Sequence, residues 1–238
     1  MRGLSALVIA ALVAGCGATP RTMTTTSPLP ASVTREQVGA REVVVLPRPM
    51  GDQVAVTVWL DAGTLDAAHA SAALAAAELV ASSAGPEVSA LVVPDGTRFS
   101  AICARPTLGP CVASLAQALG SRDVPEAAME RIRRSLEDRR VRGLASARRE
   151  AETLAVSAAL GIELAPLGET EELATDDVRQ FLDRHYGSAR SLWVFVGGVS
   201  ASDVHRALDG AAEATSSASR AERDADDSAP RARSEERP

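Results

Sequence analysis

Val54-Ala55-Val56-Thr57-Val58-Trp59-Leu60-Asp61-Ala62-Gly63 is the stretch on which the fold turns. Val54, Val56, Val58 and Leu60 fall on one side of an extended chain, and Ala55, Thr57 and Trp59 on the other. Side chains alternate along a strand, so this period of two predicts a β-strand with one face toward a core. Upstream, Glu42 to Leu46 predicts another strand, joined to it through Pro47-Arg48-Pro49-Met50-Gly51-Asp52. Downstream, Ala67 to Ser83 is Ala-rich and runs into Gly85-Pro86, as a helix ended by Gly and then Pro would. Val88 to Val93 and Thr97 to Ala104 flank Pro94-Asp95-Gly96. That is a hairpin signal, because Pro fixes one turn dihedral and Gly accepts a positive φ. Helices are expected at 110–119, 125–142 and 147–160, and from Asp176 to Tyr186 with Thr175 as the cap. Leu192 to Val196 is a continuous apolar run, predicted to be a strand buried on both faces, and Ser202 to Ala212 closes the domain as a helix. Two hairpins, a block of helices, then strand and helix make an α+β fold, a single two-layer sandwich.

The 238-residue chain is 46% hydrophobic but only 3% aromatic, so its core must be built from Ala, Val and Leu. It has no lysine; every basic side chain is Arg. A net charge of -6 without a basic stripe argues against nucleic acid as a partner.

The N-terminus carries its own signal. Arg2 supplies a positive start, and Leu4 to Val13 is an apolar run too short to span a bilayer, as in a secretory signal peptide. Val13-Ala14-Gly15-Cys16 resembles a bacterial lipoprotein processing site, at which the cysteine is acylated and becomes the new N-terminus. The alternative is an ordinary cleaved signal peptide with an incidental cysteine. On the lipoprotein reading, residues 1–16 are the signal and lipobox, and Cys16 holds the protein on a membrane. Gly17 lacks the Asp associated with inner-membrane retention, so the expected address is the outer membrane facing the periplasm. Residues 17–38, rich in Ser, Thr and Pro, read as a flexible tether; 39–213 as the folded domain; 214–238 as a disordered tail with mixed charge.

Cys103 and Cys111 are the other two cysteines. In an exported protein they form either a disulfide stapling a strand end to the following helix or two buried thiols. No Cys-x-x-Cys repeat or neighbouring histidine completes a tetrahedral zinc site around them.

Several segments, in order, resemble one half of the pitrilysin/insulinase-type zinc metallopeptidases, which include the mitochondrial processing peptidases. Ala165-Pro166-Leu167-Gly168-Glu169-Thr170-Glu171-Glu172-Leu173 is similar to that family's "P-L-G-T-E-E" turn. Thr175-Asp176-Asp177-Val178 through Arg184-His185-Tyr186 is similar to the helix that follows, with its structural His-Tyr pair. Leu192 to Val199 resembles the strand ending in "G-D-(V/F)", and Val54 to Gly63 resembles the family's strand edge ending in Ala-Gly. The resemblance implies a processing-peptidase-like sandwich.

The zinc motif of that family, His-x-x-Glu-His on the first helix, is missing. Its histidines lie one turn apart and bind the metal on one face, and its Glu activates the bound water. Counting forward from Gly63 places the motif at Ala76 to Val80, so Ala76 and Val80 hold the ligand positions and Leu79 the base position. A shift of one would put Glu78 at the base position, with no histidine on either side; His69 lies about two turns earlier. The family's third ligand is a Glu on a later helix, near Glu137 or Asp138 here, both among charged neighbours that read as a solvated face. His185 and His205 lie far off in sequence, and Gly197-Gly198 is a strand-to-helix turn without the third glycine of a nucleotide fingerprint.

No catalytic residue and no metal ligand are therefore expected, and no cofactor; zinc enters only if the non-catalytic reading is wrong. Active relatives close a chamber between halves, so the resemblance implies pairing with a separate zinc-bearing peptidase half. The alternative is a stand-alone peptide-binding or scaffold lipoprotein of the cell envelope, binding an extended segment at a sheet edge. An active metallopeptidase with a relocated site is the third reading. The isolated domain is expected to be a monomer.

Overall fold

A computed structural model describes residues 33–39, 41–49, 51–144, 173–187 and 191–212, with isolated positions between 151 and 161. The signal and lipobox, most of the tether, the Pro166-Leu167-Gly168 turn and the tail lie outside the described residues, as does nearly all of the helix expected at 147–160.

The elements run β1 (Thr34–Val38), β2 (Arg41–Pro47), β3 (Gln53–Leu60), α1 (Ala70–Ala84), β4 (Ser89–Val93), β5 (Gly96–Ala104), α2 (Leu108–Gly120), α3 (Glu126–Leu144), α4 (Thr175–His185) and β6 (Ser191–Gly197). A last helix, α5, spans 201–212. All six strands form one sheet in the order β1-β2-β6-β3-β5-β4.

One face of this sheet is the core. Val43 and Val45, Val54, Val56, Val58 and Leu60, Phe99 and Ala101, Trp193 and Phe195 are almost wholly buried. The helices cover that face, contributing Val112, Leu115 and Leu119, Met129 and Leu136, Val178 and Leu182, Val204 and Leu208. Helix α1 lies among α2, α3, α4 and β4. Its run of alanines suits that place, since small side chains let several neighbours approach closely, and nine of its residues are buried.

The α+β sandwich is as expected, but four local readings change. Thr34–Val38, assigned to the tether, is strand β1, paired antiparallel with β2 across a turn at Gly39, whose φ is 61°. TREQV carries a single apolar residue, so an edge strand held by backbone bonds left no hydrophobic period to read. Second, β2 and β3 are not a hairpin: β6 lies between them, parallel to β2 and antiparallel to β3. The most apolar strand thereby takes a central position, where both backbone edges are paired. Third, β6 is not buried on both faces; Ser191, Trp193, Phe195 and Gly197 are buried, while Leu192, Val194 and Val196 are partly exposed. Its outward side chains are apolar although nothing in the described domain covers them fully.

The fourth concerns turns and caps. Gly96 does not take a positive φ. Its hydrogen side chain serves space instead, because a Cβ there would stand 2.6 Å from the Trp59 ring. Thr175 is the first residue of α4 and Ala174 its cap. The Ala174 amide donates to the Asp177 carboxylate at 3.1 Å, and the Thr175 hydroxyl donates to Glu126 at 2.9 Å, tying α4 to α3.

Candidate functional site

The first helix of the domain, α1, presents two faces. Ala76, Leu79 and Val80, the positions counted for the zinc motif, are all in the core, at 0%, 4% and 2% exposure. Leu74, Glu78 and Ala81 are partly exposed and, with the buried Ala77 between them, line a groove of about 550 Å³. Its other walls are Ala90, Leu91 and Val92 of β4, the Gly85-Pro86 turn, and Leu136 and Arg139 of α3. Leu74, Ala77 and Glu78 thus repeat the counted spacing two residues earlier, a rotation of about 200° around the helix axis.

The groove's one carboxylate is engaged. Glu78 and Arg139 form an ion pair across it, with side chains 25% and 44% exposed. The remaining α1 positions in the groove are Leu74, Ala77, Ala81 and Ser82, whose hydroxyl donates to the Leu79 carbonyl at 2.9 Å. Among the described residues no group of three or more His, Cys, Asp or Glu is placed to hold a metal.

The other candidates are scattered. His69 is exposed at the N-cap of α1 and makes no side-chain cap. Glu137 chelates Arg140 through both oxygens, at 2.7 and 2.8 Å, and Asp138 is exposed on the same helix. His185 packs on the Phe181 ring at 4.8 Å between centroids. His205 places Nε2 2.8 Å from Glu36, joining α5 to β1. Gly197, with φ 144°, lets the end of β6 pass the start of β3, where a Cβ would stand 2.3 Å from the Gln53 carbonyl.

Cys103 and Cys111 are bonded, with Cα atoms 6.2 Å apart, so the end of β5 is stapled to the first turns of α2. Tyr186, following His185, is buried, and its hydroxyl donates to Thr97 at 3.1 Å. Thr97 in turn donates to the Ala62 carbonyl at 2.7 Å. Burial raises the Tyr186 pKa well above its ordinary value, against a smaller opposing effect of the Thr97 bond. Tyr186 therefore serves as a neutral donor linking α4 to the β3–α1 loop.

Sequence reasoning missed Leu74, Ala77, Ala81 and Arg139 as groove residues. A usable signal was Glu78 itself, the lone charge in ASAALAAAELVASSA. A charge in an otherwise small and apolar helix marks the face turned from the core, and its neighbours three and four residues away share that face.

The sequence matches no protein-family profile and no curated protein. The structure is similar to several solved ones. The peptidase M16 inactive domain from Pseudomonas fluorescens superposes with a TM-score of 0.64 at 13% identity, over 76% of this chain and 50% of that one. A protease from Helicobacter pylori gives 0.62 at 16% identity, over 74% and 48%. The periplasmic protease PqqL from Escherichia coli gives 0.62 at 14% identity, over 76% of this chain and 24% of that one. The chain thus spans about half the length of two of these proteins and a quarter of the third. Its fold is that of one half of a pitrilysin-type M16 peptidase unit.

Proposed function

We propose that the protein is an exported, lipid-anchored, non-catalytic M16-fold domain that acts as the partner or substrate-binding half of a zinc peptidase. The observation that carries this reading is the groove beside α1. Active relatives need two histidines and a glutamate on this first helix, and here the groove offers Leu74, Ala77 and Ala81 with Glu78 neutralised by Arg139. Such a surface can hold substrate or a partner but has no nitrogen ligand for zinc. The relatives' greater length supports the partner role, because the match covers half of one and a quarter of another. Anchoring at Cys16 and an outer-membrane address facing the periplasm rest on the Val13-Ala14-Gly15-Cys16 sequence.

Purification of the full chain from its own membranes in mild detergent tests the pairing. A near-equimolar polypeptide carrying His-x-x-Glu-His is expected to co-elute. Its absence would end the partner reading.

A second reading is favoured by β4. This strand ends the sheet, Ser89, Ala90 and Leu91 are exposed, and it borders the groove. An extended peptide could add to its free edge and place side chains against Leu74 and Leu136. Protection of β4 amides from hydrogen exchange by an added peptide, without any peptidase partner, would favour this stand-alone platform.

A further inference from the structure

The sheet face turned away from the helices carries a pattern that the partner role does not use. The strand registers lay its side chains out in rows across β2, β6, β3 and β5. One row reads Glu42, Leu192, Trp59, Arg98; the next Val44, Val194, Thr57, Ser100; the third Leu46, Val196, Ala55, Ile102. Most of these residues are only half-buried, and Ile102 is 63% exposed. An apolar face of this breadth is uncommon on a protein that leaves it in water.

The first and third rows are self-complementary about their centres. The first runs acid, apolar, apolar, base. The third is apolar throughout, with large side chains at both ends. A twofold axis parallel to the strands, midway between β6 and β3, reverses every row. It sets Glu42 of one copy over Arg98 of the other, twice, and Leu46 over Ile102, twice. Trp59 and Leu192 meet at the centre of the first row. Neighbouring strands are about 4.8 Å apart, so the charges sit at the margins of a stripe about 14 Å wide. Two such faces stacked about 10 Å apart would interdigitate as sheets in a sandwich do. Arg98 has no ion pair among the described residues, whereas Glu42 already pairs with Arg35 and has a second oxygen to offer.

We propose that this face joins two copies of the chain, sheet to sheet, as a symmetric dimer with reciprocal Glu42–Arg98 pairs. This departs from the monomer expected from the sequence. It also stands apart from pairing with a zinc half, for which the groove beside α1 remains open.

The test is analytical ultracentrifugation of the full-length chain carrying Cys16→Ser, which removes the anchor site. A dimer is expected at micromolar concentration. Ile102→Arg should leave a folded monomer, with an unchanged circular dichroism spectrum, because the side chain is mostly exposed. Glu42→Arg and Arg98→Glu alone should each weaken the dimer by about tenfold or more, since each sets like charges together at two places. The double variant Glu42→Arg/Arg98→Glu should regain most of the affinity. A wild-type monomer throughout, a dimer indifferent to Ile102→Arg, or a double variant as weak as the singles would each overturn the proposal.

Discussion

Glu78 on α1 and Arg139 on α3 form an ion pair that spans the groove beside the edge strand β4. The two residues stand on different helices and line the same groove. The pair satisfies the groove's one carboxylate and ties its two helical walls together.

That relationship predicts how a metal site could be built there. Leu74→His with Glu78→His places two imidazoles one helical turn apart on the groove face, and Arg139→Glu supplies a carboxylate across it. The triple variant should retain one equivalent of zinc after dialysis, while the natural protein retains none. Metal analysis of both decides the matter, and stoichiometric zinc in the natural protein would also undo the non-catalytic reading.

Removing the staple between β5 and α2 should lower stability without changing the fold. The loop closed by Cys103 and Cys111 is short, so replacing both with Ala should cost about 2–3 kcal/mol. Denaturant midpoints with and without the substitutions measure this. Equal midpoints would mean that the bond is not formed in the isolated protein.

Tyr186 offers an unusually clean alkaline titration, because it is the only tyrosine and the chain has no lysine. Its folded pKa is raised above the ordinary 10.0. The folded state therefore keeps its proton where the unfolded state loses it, and stability falls as pH rises above the unfolded value. Tyrosinate absorbance should appear only together with unfolding. In Tyr186→Phe the loss of stability above that pH should largely vanish, at a cost of about 0.5–1.5 kcal/mol at neutral pH for the lost Thr97 bond.

Gly63 joins the β3–α1 loop to the β4–β5 turn by close backbone approach. A Cβ there would stand 2.1 Å from the Val93 carbonyl. Thr64 and Leu65 donate to Val93 and Pro94 at 3.2 and 2.9 Å, so the two loops cannot separate without losing both bonds. Gly63→Ala should destabilise by about 1–3 kcal/mol or more, read as a lower thermal midpoint.

For the anchor, Cys16→Ser should move the protein from the membrane to the soluble fraction. Unchanged partitioning into a detergent phase would remove the lipoprotein reading.

Much of the architecture was legible in residues that repeat at a fixed period. Val54 to Leu60 declared a strand and its buried face, and Gly85-Pro86 declared the end of α1. Nothing local could reveal that Leu192 to Val196 inserts between β2 and β3, since pairing order depends on partners remote in the chain. The same run looked buried on both faces because its outward residues are as apolar as its inward ones. The groove escaped because an Ala-rich helix has little periodic contrast to separate its core face from its outward one.

The place of β6 also sets the order in which the domain can form. β2 ends at Pro47 and waits for a neighbour that begins at Ser191. Until that late segment arrives, β1 and β2 have no hydrogen-bonded neighbour in the rest of the sheet, and one backbone edge of β3 is unpaired. Contacts between such distant segments fold slowly. A chain emerging N-terminus first therefore cannot complete its sheet until residues 191–197 have been made, and the last described strand is the one that joins its two parts.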